Sequence, residues 1–332
     1  MLLSKRRDGR IASKGAAPSE RVKEAQPIAI VHCESNALSP GAPSCLTRLS
    51  RSGWWALAAA MPLLTACFTL TELPRVLVVQ ANGGIAISST TCLEAMADAN
   101  RSKPAPLAPK RIRIMSWNIH KQSDAGWQDD PARLGGDSDI LALQEVTLNS
   151  AALDVLKRTD FRWVMASSFA YDDYDVGVLT VSHFAPIASC TQRAIEPLLQ
   201  LPKSALVSWF ATRRKSPLAV ANLHGINFTL STDEFDAQLS ALSDILGTHQ
   251  GPIIVAGDFN TWSLDRQRSL DKFAQRLGLE EVAFADDERT RFFGRHLDHI
   301  LTRGFRVVAS DVVKVTSSDH NPVFATLEMT EQ

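Results

Sequence analysis

The stretch GPIIVAGDFNTWS, residues 251–263, joins a run of apolar residues to a polar motif that follows it directly. The apolar run PIIVA has the length and the β-branched content of a buried strand. The motif GDFN then presents Asp258 and Asn260 where that strand ends. Because a strand end is a rigid support for reactive side chains, this stretch predicts an α/β fold with a functional site at a sheet edge.

Four further motifs place polar residues beside apolar runs in the same way. SWNIH follows RIRIM and LQEV continues DILAL, whereas LDH and SDHNP stand before the runs HILT and PVFATL. The polar side chains that these motifs add are Asn118, Glu145, Asp298, Asp319 and His320. Five motifs of one kind, each on a strand-like element, predict side chains that converge on one cleft.

The polar residues of these motifs are rich in oxygen ligands and include no thiolate. Glu145, Asp258 and Asp298 supply carboxylates, and Asn118 and Asn260 supply amides. Oxygen ligands suit the hard cations Mg²⁺ and Mn²⁺ rather than zinc. Because Mg²⁺ keeps several waters and is usually held by one or two carboxylates, we expect Glu145 rather than the whole set to be a direct ligand.

Two imidazoles complete the candidate site. Asp319 directly precedes His320, which predicts a local pair in which the carboxylate fixes the imidazole tautomer. His320 would then contact a phosphoryl oxygen or move a proton. His224 ends the apolar run of VANLHGINF and would supply the second imidazole. A metal ion, an aspartate that orients water and one or two histidines fit metal-assisted phosphodiester hydrolysis.

The motif set resembles the endonuclease/exonuclease/phosphatase superfamily, which includes pancreatic deoxyribonuclease, exonuclease III, neutral sphingomyelinases and inositol-polyphosphate phosphatases. The resemblance spans Arg111 to Leu327, about two thirds of the chain. It is closer still to the YafD-type bacterial branch in the stretches WNIHKQ, LPKSALV, HGINFTL, GPIIVAGDFNTWS and DDERTRFFGRHLDHI. The resemblance implies a four-layer αββα sandwich, in which two packed mixed β-sheets are flanked by helices.

The resemblance also implies a role for each matched residue. Glu145 matches the metal ligand, and Asn118 matches an amide that organises the metal or the substrate phosphate. Asp258 and Asn260 match the pair that orients the attacking water and the transition state. Asp298 and Asp319 match the two carboxylates that support the imidazoles. His224 and His320 match the two histidines.

Two residues close to the motifs stay open between a role in the site and none. Arg295, in FFGR before the LDH motif, is a candidate for binding substrate phosphate because guanidinium forks suit phosphate; otherwise it is a solvated charge. His120 stands where many superfamily members carry an acidic or amide residue. It is either a polar group of the site or a loop residue.

Ten runs predict strands, and they read RIRIMSW, DILALQ, RWVMA, GVLTVS, SALVSWF, LAVANLH, PIIVAG, DHILT, FRVVAS and PVFATL. The clearest helix is DEFDAQLSALSDIL, whose residues Phe235, Leu239 and Leu242 lie at helical spacing. Ser231 or Thr232 would be its N-cap. These elements together form a predicted catalytic domain over residues 111–332.

The residues before this domain predict three segments. Residues 1–45 read as a disordered basic N-terminus, and residues 72–110 as a linker region. Residues 46–71 read as a signal with a lipobox at Leu64–Cys67, or as a single-span membrane anchor, because an uncharged apolar stretch over 52–71 follows two arginines. We therefore expect membrane association through 52–71 and a location in the cell envelope, with a cytoplasmic location as the alternative.

Composition and charge argue against one way of binding nucleic acid. The 332 residues are 45% hydrophobic and carry a net charge of −1, which divides into about +6 over residues 1–110 and −7 over residues 111–332. An acidic catalytic half argues against tight duplex binding by a broad basic face. Only Cys190 of the five cysteines lies within 111–332, so that the domain is expected to need no disulfide.

The sequence therefore predicts a Mg²⁺- or Mn²⁺-dependent phosphodiester hydrolase of the endonuclease/exonuclease type, acting on DNA, RNA or another phosphodiester. A phospholipid head group or a soluble phosphoester is the alternative substrate. A catalytically dead module that only binds phosphorylated ligands is a second alternative, although the metal carboxylate and both imidazoles are present. No motif indicates a protein partner.

Overall fold

The computed structural model describes residues 68–69, 74–79, 84–88, 90–101, 108–157, 161–229 and 231–330. Two large β-sheets dominate these residues. The first sheet has nine strands, in chain order β1 (Phe68–Thr69), β2 (Arg75–Val79), β3 (Ile85–Ser88), β4 (Arg111–Asn118), β5 (Ile140–Thr147), β6 (Arg162–Tyr171), β7 (Tyr174–Ser182), β16 (Phe305–Val312) and β17 (Val323–Met329). Their spatial order is β16-β17-β4-β5-β7-β6-β2-β3, with β1 paired to β6.

The second sheet has six strands in the order β12-β15-β11-β10-β9-β8. They are β8 (Ala188–Ile195), β9 (Pro202–Phe210), β10 (Leu218–His224), β11 (Ile253–Asp258), β12 (Glu280–Glu281) and β15 (Asp298–Arg303). A separate two-stranded ribbon joins β13 (Arg291–Phe292) to β14 (Arg295–His296). Each large sheet contains one parallel pair, β4–β5 and β10–β11, so both sheets are mixed.

Within the described residues, five α-helices cover the sheets. They are α1 (Cys92–Arg101), α2 (Asp130–Gly135), α3 (Ser150–Lys157), α4 (Asp233–Gly247) and α5 (Leu264–Leu277). Leu134 and Leu153 pack α2 and α3 on the outer face of the first sheet. Phe235 of α4 and Phe273 of α5 are buried on the outer face of the second.

Apolar side chains of both sheets form one layer between them, to which β4 contributes Ile112 and Ile114 and the second sheet contributes Val220 and Ile254. Strands with both faces covered are expected to be continuous apolar runs rather than alternating ones, as PIIVA is. The four-layer αββα sandwich is confirmed, and each of the ten predicted runs is a strand. Helix α4 covers the predicted DEFDAQLSALSDIL and has Thr232 as its N-cap.

Residues 75–79, 84–88 and 90–101 belong to this same fold, where the sequence indicated a linker over 72–110. Strand β2 pairs antiparallel with β6, β3 pairs with β2, and α1 buries Ala95 and Ala99 in the core beneath the second sheet. The short run RVLVV was not recognised as a strand because its partner, β6, lies about ninety residues further along the chain.

A disulfide joins Cys92 of α1 to Cys190 of β8. The expectation that the domain needs no disulfide was wrong, because Cys92 lies before the domain boundary that the sequence indicated. The bridge has a sequence separation of 98 residues and fixes α1 against the second sheet.

Replacing both Cys92 and Cys190 by alanine is expected to lower the free energy of unfolding by about 2–4 kcal/mol, because the bridge restricts a long loop of the unfolded chain. Urea unfolding followed by circular dichroism, with and without reductant, measures this. The double variant should be insensitive to reductant. Equal stability of the oxidised and reduced wild-type protein would contradict the prediction.

The predicted disordered segment 1–45, and all of 46–71 except Phe68 and Thr69, lie outside the described residues. No helix in the part of the chain that the structure describes combines the length and the apolar character that crossing a bilayer requires. The membrane segment predicted over 52–71 therefore stays a prediction.

Candidate functional site

Three candidate residues lie side by side across the second sheet. His224 ends β10, Asp258 ends β11 and Asp298 begins β15, and the strand register pairs His224 with Asp258 and Asp258 with Asp298. Gly257 allows the neighbouring strands to come this close, because its φ is 151° and an added Cβ would lie 1.9 Å from the Leu223 carbonyl oxygen. The apolar runs therefore deliver these polar groups to one edge of the sheet.

The first sheet brings a second group of residues to the same place. Asn118 ends β4, Glu145 lies near the end of β5, and His320 lies in the loop that precedes β17. One cleft is lined by seven of the predicted site residues, which are Asn118, Glu145, His224, Asp258, Asn260, Asp319 and His320. The convergence that the sequence predicted is present in the structure.

The Oδ2 atom of Asp258 is the centre of this arrangement. The side-chain amide of Asn118 donates to it at 3.0 Å and that of Asn260 at 3.3 Å. The Nε2 atoms of His224 and His320 lie 3.7 and 3.9 Å away. The other carboxylate oxygen, Oδ1, accepts the backbone N–H of Asn260 at 2.9 Å. Asp258 is thus fixed in orientation, which suits a group that positions a reactant.

Glu145 occupies a strongly cationic position. The ammonium of Lys121 donates to its Oε2 at 2.7 Å, and Lys203 Nζ and His224 Nε2 lie 3.6 and 3.5 Å from Oε1. Burial raises the pKa of Glu145, but His224, Lys203 and Lys121 outweigh burial and lower the pKa to about 2. The carboxylate is therefore charged at all pH values of physiological interest.

The partner of His320 is Asp298, not Asp319. The Nδ1 atom of His320 lies 2.8 Å from Oδ2 of the buried Asp298, whereas Asp319 is 59% exposed and has its Oδ1 atom 3.8 Å from Nδ1 of His120. The local Asp319–His320 pair was wrong because adjacent residues of this loop point in different directions. The resemblance implied that Asp298 supports an imidazole, and the geometry agrees with this role.

The two imidazoles of the cleft are held in opposite charge states. Burial and the ammonium of Lys203 lower the pKa of His224 to about 3. Burial also acts to lower the pKa of His320, but Asp298 and Asp258 outweigh it and raise this pKa to about 10. At neutral pH, His224 is neutral and His320 is an imidazolium. Environments that separate the pKa values of two like groups are typical of acid–base sites.

Left-handed backbone conformations concentrate at the cleft. Glu145 has φ 56° and Asn260 has φ 54°, and the three residues from His120 to Gln122 also have positive φ. A non-glycine residue in this region is strained and persists only when its surroundings hold it there. At Glu145 the register of β5 against β7 shifts, which aims the carboxylate into the cleft.

A buried polar network beneath the cleft was missed from the sequence. The side chain of Gln144 donates to Asn222 Oδ1 at 2.8 Å, and Asn222 donates in turn to the backbone carbonyls of Leu143 and Leu179. The network connects the two sheets directly behind Glu145 and His224. Its signal in the sequence was a polar residue inside an apolar run, as in DILALQ and LAVANLH.

Arg295 is not brought into the cleft. It lies on β14, opposite Phe292 of β13, and does not line the cleft in the described part of the chain.

His120 lines the cleft mouth, where its Nδ1 atom lies 2.7 Å from Asp124 Oδ2. The tryptophan of SWNIH supports the loop from below, because Trp117 is buried and donates to the His320 carbonyl at 2.8 Å.

Residues 115–320 match the Endonuclease/Exonuclease/phosphatase family. The chain belongs to this family. A UPF0294 protein of Yersinia pseudotuberculosis is 38% identical over 221 residues, which is 67% of this chain and 85% of that relative. The family includes nucleases and other phosphodiesterases, its members are generally hydrolases of phosphoester bonds, and they usually depend on a divalent metal.

Two solved structures of similar fold support the architecture. An endonuclease/exonuclease/phosphatase family protein from Leptotrichia buccalis has a TM-score of 0.54 and 17% identity, covering 66% of this chain and all of that one. The human Nocturnin catalytic domain with a bound sulfate anion has a TM-score of 0.52 and 20% identity, covering 68% and 97%. At these identities the likeness concerns the fold.

Lys203 is a cleft residue that sequence reasoning did not single out, although it stands in the stretch LPKSALV. Its side chain is 16% exposed and its Nζ atom lies 2.9 Å from His224 Nε2. Lysine is rarely so little exposed unless its ammonium is paired, and Lys203 is paired with Glu145 and His224. Its signal was a lysine at the start of a mostly apolar strand.

Lys203→Met is expected to lower kcat/KM for a phosphodiester by about a hundredfold, because it removes a positive group that lines the cleft beside Glu145 and His224. Lys272→Met on the exposed side of α5 makes the same chemical change away from the cleft and should have no effect. Steady-state kinetics of both variants test this. Similar rates for the two variants would exclude Lys203 from the site.

Proposed function

We propose that this protein is a Mg²⁺- or Mn²⁺-dependent phosphodiesterase that hydrolyses its substrate in the cleft around Asp258. The observation that carries the proposal is the convergence of two amides and two imidazoles on Asp258 Oδ2, beside the charged Glu145. Such an arrangement can position a water molecule and stabilise negative charge on a phosphoryl group in one place.

In the proposed reaction Asp258, held by Asn118 and Asn260, orients a water molecule and accepts one of its protons. The water oxygen forms a bond to phosphorus, and the ester P–O bond breaks with its electron pair remaining on the leaving oxygen. That oxygen takes a proton from solvent, so that a phosphomonoester and an alcohol are formed. His320, kept protonated by Asp298, donates a hydrogen bond to a phosphoryl oxygen as charge accumulates there.

The metal would be held by Glu145 with Asn118. Oxygen donors fit Mg²⁺ and Mn²⁺, and the carboxylate of Glu145 is charged, but a metal there would have to displace the ammonium of Lys121 from Oε2. The metal would supply Lewis-acid polarisation of the phosphoryl group. Asp258, Asp298 and His320 form a second candidate set of metal ligands, whose ligand atoms lie within 4.8 Å of one another. Asp298 raises the pKa of His320, so that this imidazole is protonated at neutral pH. A protonated imidazole is a poor metal ligand.

Electron paramagnetic resonance measures Mn²⁺ binding directly. It distinguishes the two candidate ligand sets and does not depend on enzyme activity. Glu145→Gln is expected to abolish binding, and Asp298→Asn is expected to leave it nearly unchanged. The reverse result would move the metal to Asp258, Asp298 and His320.

The substrate class is tested with purified full-length protein and Mg²⁺ or Mn²⁺ against plasmid DNA, single-stranded DNA, RNA, sphingomyelin and bis-p-nitrophenyl phosphate. We expect turnover of a phosphodiester that stops when the metal is chelated. The sulfate in the human Nocturnin catalytic domain is consistent with an anion site in this fold. Binding of phosphorylated ligands without turnover of any of them would favour the catalytically dead module.

We further propose that the protein works in the cell envelope. The disulfide between Cys92 and Cys190 supports this location, because disulfides persist in oxidising compartments and are rare in the cytosol. The apolar stretch over 52–71 supports membrane attachment. Cell fractionation is expected to recover the protein with membranes. Recovery from the cytosol with an intact N-terminus and free thiols would contradict this proposal and leave the catalytic one unchanged.

A further inference from the structure

Large apolar side chains are exposed beside the cleft, in loops that adjoin the second sheet and in the two-stranded ribbon. Leu198 and Leu199 lie in the turn between β8 and β9, Phe228 follows β10, and Phe292 and Phe293 lie in the ribbon of β13 and β14. Their exposed fractions are 55%, 48%, 51%, 52% and 78%. These five residues are called the cleft rim below. Exposed apolar residues scattered singly need no explanation, whereas a contiguous group beside a cleft indicates an interaction surface.

A chain of contacts through Glu196, Asn227 and Trp262 connects the residues of the rim. Oε1 of Glu196, in the β8–β9 turn, accepts the backbone N–H of Asn227 at 2.7 Å, which places that turn beside Phe228. Asn227 in turn accepts the indole N–H of Trp262 at 2.9 Å. The ring of Trp262 lies 6.3 Å from that of Phe293, which lies 4.4 Å from that of Phe292. Leu199 and Phe228 themselves line the cleft.

The chain enters the described fold at the same end. Phe68 pairs with Tyr171 and Thr69 with Ala170, at the tip of the hairpin formed by β6 and β7. Tyr171 and Tyr174 at this tip are exposed, and the neighbouring Phe169 and Val176 line the cleft. In the sequence, Phe68 directly follows most of the apolar stretch that predicts a membrane segment. An anchor there would hold the cleft mouth close to a membrane surface.

The composition of the rim favours a lipid surface over a nucleic acid. Stacking on bases requires aromatic faces along a cationic groove, and Leu198 and Leu199 have no such face. Aliphatic and phenyl side chains together suit the boundary between head groups and acyl chains. Arg291 and Arg295 flank Phe292 and Phe293, and cations beside an apolar tip complement anionic phosphate groups.

We propose that the cleft rim docks on a phospholipid bilayer and presents the cleft to phosphodiesters of lipid head groups. This inference rests on the proposed function, whose substrate class it narrows to lipids at a membrane surface. Docking would bury the rim in the head-group region while the polar cleft stays at the depth of the phosphates.

Photolabelling tests the docking surface without any need for turnover. Full-length protein is reconstituted in vesicles of phosphatidylethanolamine and phosphatidylglycerol that contain a phosphatidylcholine with a diazirine on its acyl chain, and labelled peptides are mapped by mass spectrometry. We expect labels on the peptides of Leu198–Leu199 and Phe292–Phe293. The exposed residues Ile87, Leu93 and Val307, which lie away from the cleft, are the internal controls. Equal labelling of controls and rim, or no label on the rim, overturns the inference.

Kinetics test whether docking serves catalysis. The triple variant Leu198→Ser, Phe292→Ser, Phe293→Ser is compared with Ile87→Ser, Leu93→Ser, Val307→Ser in detergent micelles. The rim variant is expected to hydrolyse micellar phospholipid about tenfold more slowly than wild type, and bis-p-nitrophenyl phosphate at the wild-type rate. The control variant should match wild type on both substrates.

The failures of the two proposals are distinguishable. If the rim variant hydrolyses lipid at the wild-type rate, the docking inference is wrong. The same holds if the variant loses only the cleavage of single-stranded DNA. Neither result contradicts the proposed phosphodiesterase activity. A wild-type protein that hydrolyses neither substrate overturns the proposed function and the inference that depends on it.

Discussion

Glu145→Gln is expected to lower kcat/KM for a soluble phosphodiester by about 100- to 1000-fold while the fold is retained. The substitution keeps the shape of the side chain but removes the charge that faces Lys121, Lys203 and His224. Metal binding should weaken together with activity, because the neutral amide is a poorer ligand for Mg²⁺ than a carboxylate. Kinetics over a range of Mg²⁺ concentrations measure both effects.

Glu280→Gln is the matched control, because Glu280 is an exposed residue of β12 that undergoes the same chemical change. It should retain wild-type kinetics and metal dependence. A Glu145→Gln variant with near-normal turnover at low Mg²⁺ would show that Glu145 does not hold the metal. Thermal unfolding of both variants verifies that the loss concerns chemistry and not folding.

Asp298→Asn is expected to lower kcat by about a hundredfold or more, and to move the alkaline limb of the pH–rate profile to lower pH. Asp298 is the first of the groups that raise the pKa of His320 against its burial. Without this carboxylate the pKa of His320 falls, so that the imidazole loses its proton at a lower pH. Because the proposed role of His320 requires the protonated form, activity should then disappear earlier as the pH rises.

Asp319→Asn is the control for this pH effect. Asp319 also raises the pKa of His320, but it is the weakest of the named causes and is mostly exposed. Its removal should shift the alkaline limb only slightly. A larger shift for Asp319→Asn than for Asp298→Asn would restore the local pair that the sequence alone indicated, and an unchanged limb in both would exclude a role for protonated His320.

Local patterns predicted the strands and most of the site because both depend on short stretches. The run PIIVA is apolar throughout since β11 is covered on both faces, and GDFN follows because the polar groups stand at the strand end. The resemblance then supplied the number of sheets, which periodicity alone does not determine. Asn118, Glu145, His224, Asp258 and His320 were found in this way and line one cleft.

The remaining features depend on pairings between distant residues, which local patterns do not encode. The disulfide joins Cys92 to Cys190, and β2 finds its partner in β6. His320 is paired with Asp298, 22 residues away, rather than with the adjacent Asp319. Lys203 reaches Glu145 and His224 only because β9, β10 and β5 meet at the cleft. Each of these pairings requires the folded topology.

The most direct test of the central claim is hydrolysis of bis-p-nitrophenyl phosphate by the purified full-length protein in H₂¹⁸O with Mg²⁺, compared with Asp258→Asn. Attack of oriented water on phosphorus predicts one ¹⁸O atom in the p-nitrophenyl phosphate product, none in p-nitrophenol, and a rate at least about a hundredfold above that of the variant. Label in p-nitrophenol, or equal rates for wild type and Asp258→Asn, would contradict the assignment of this cleft as the site of phosphodiester hydrolysis.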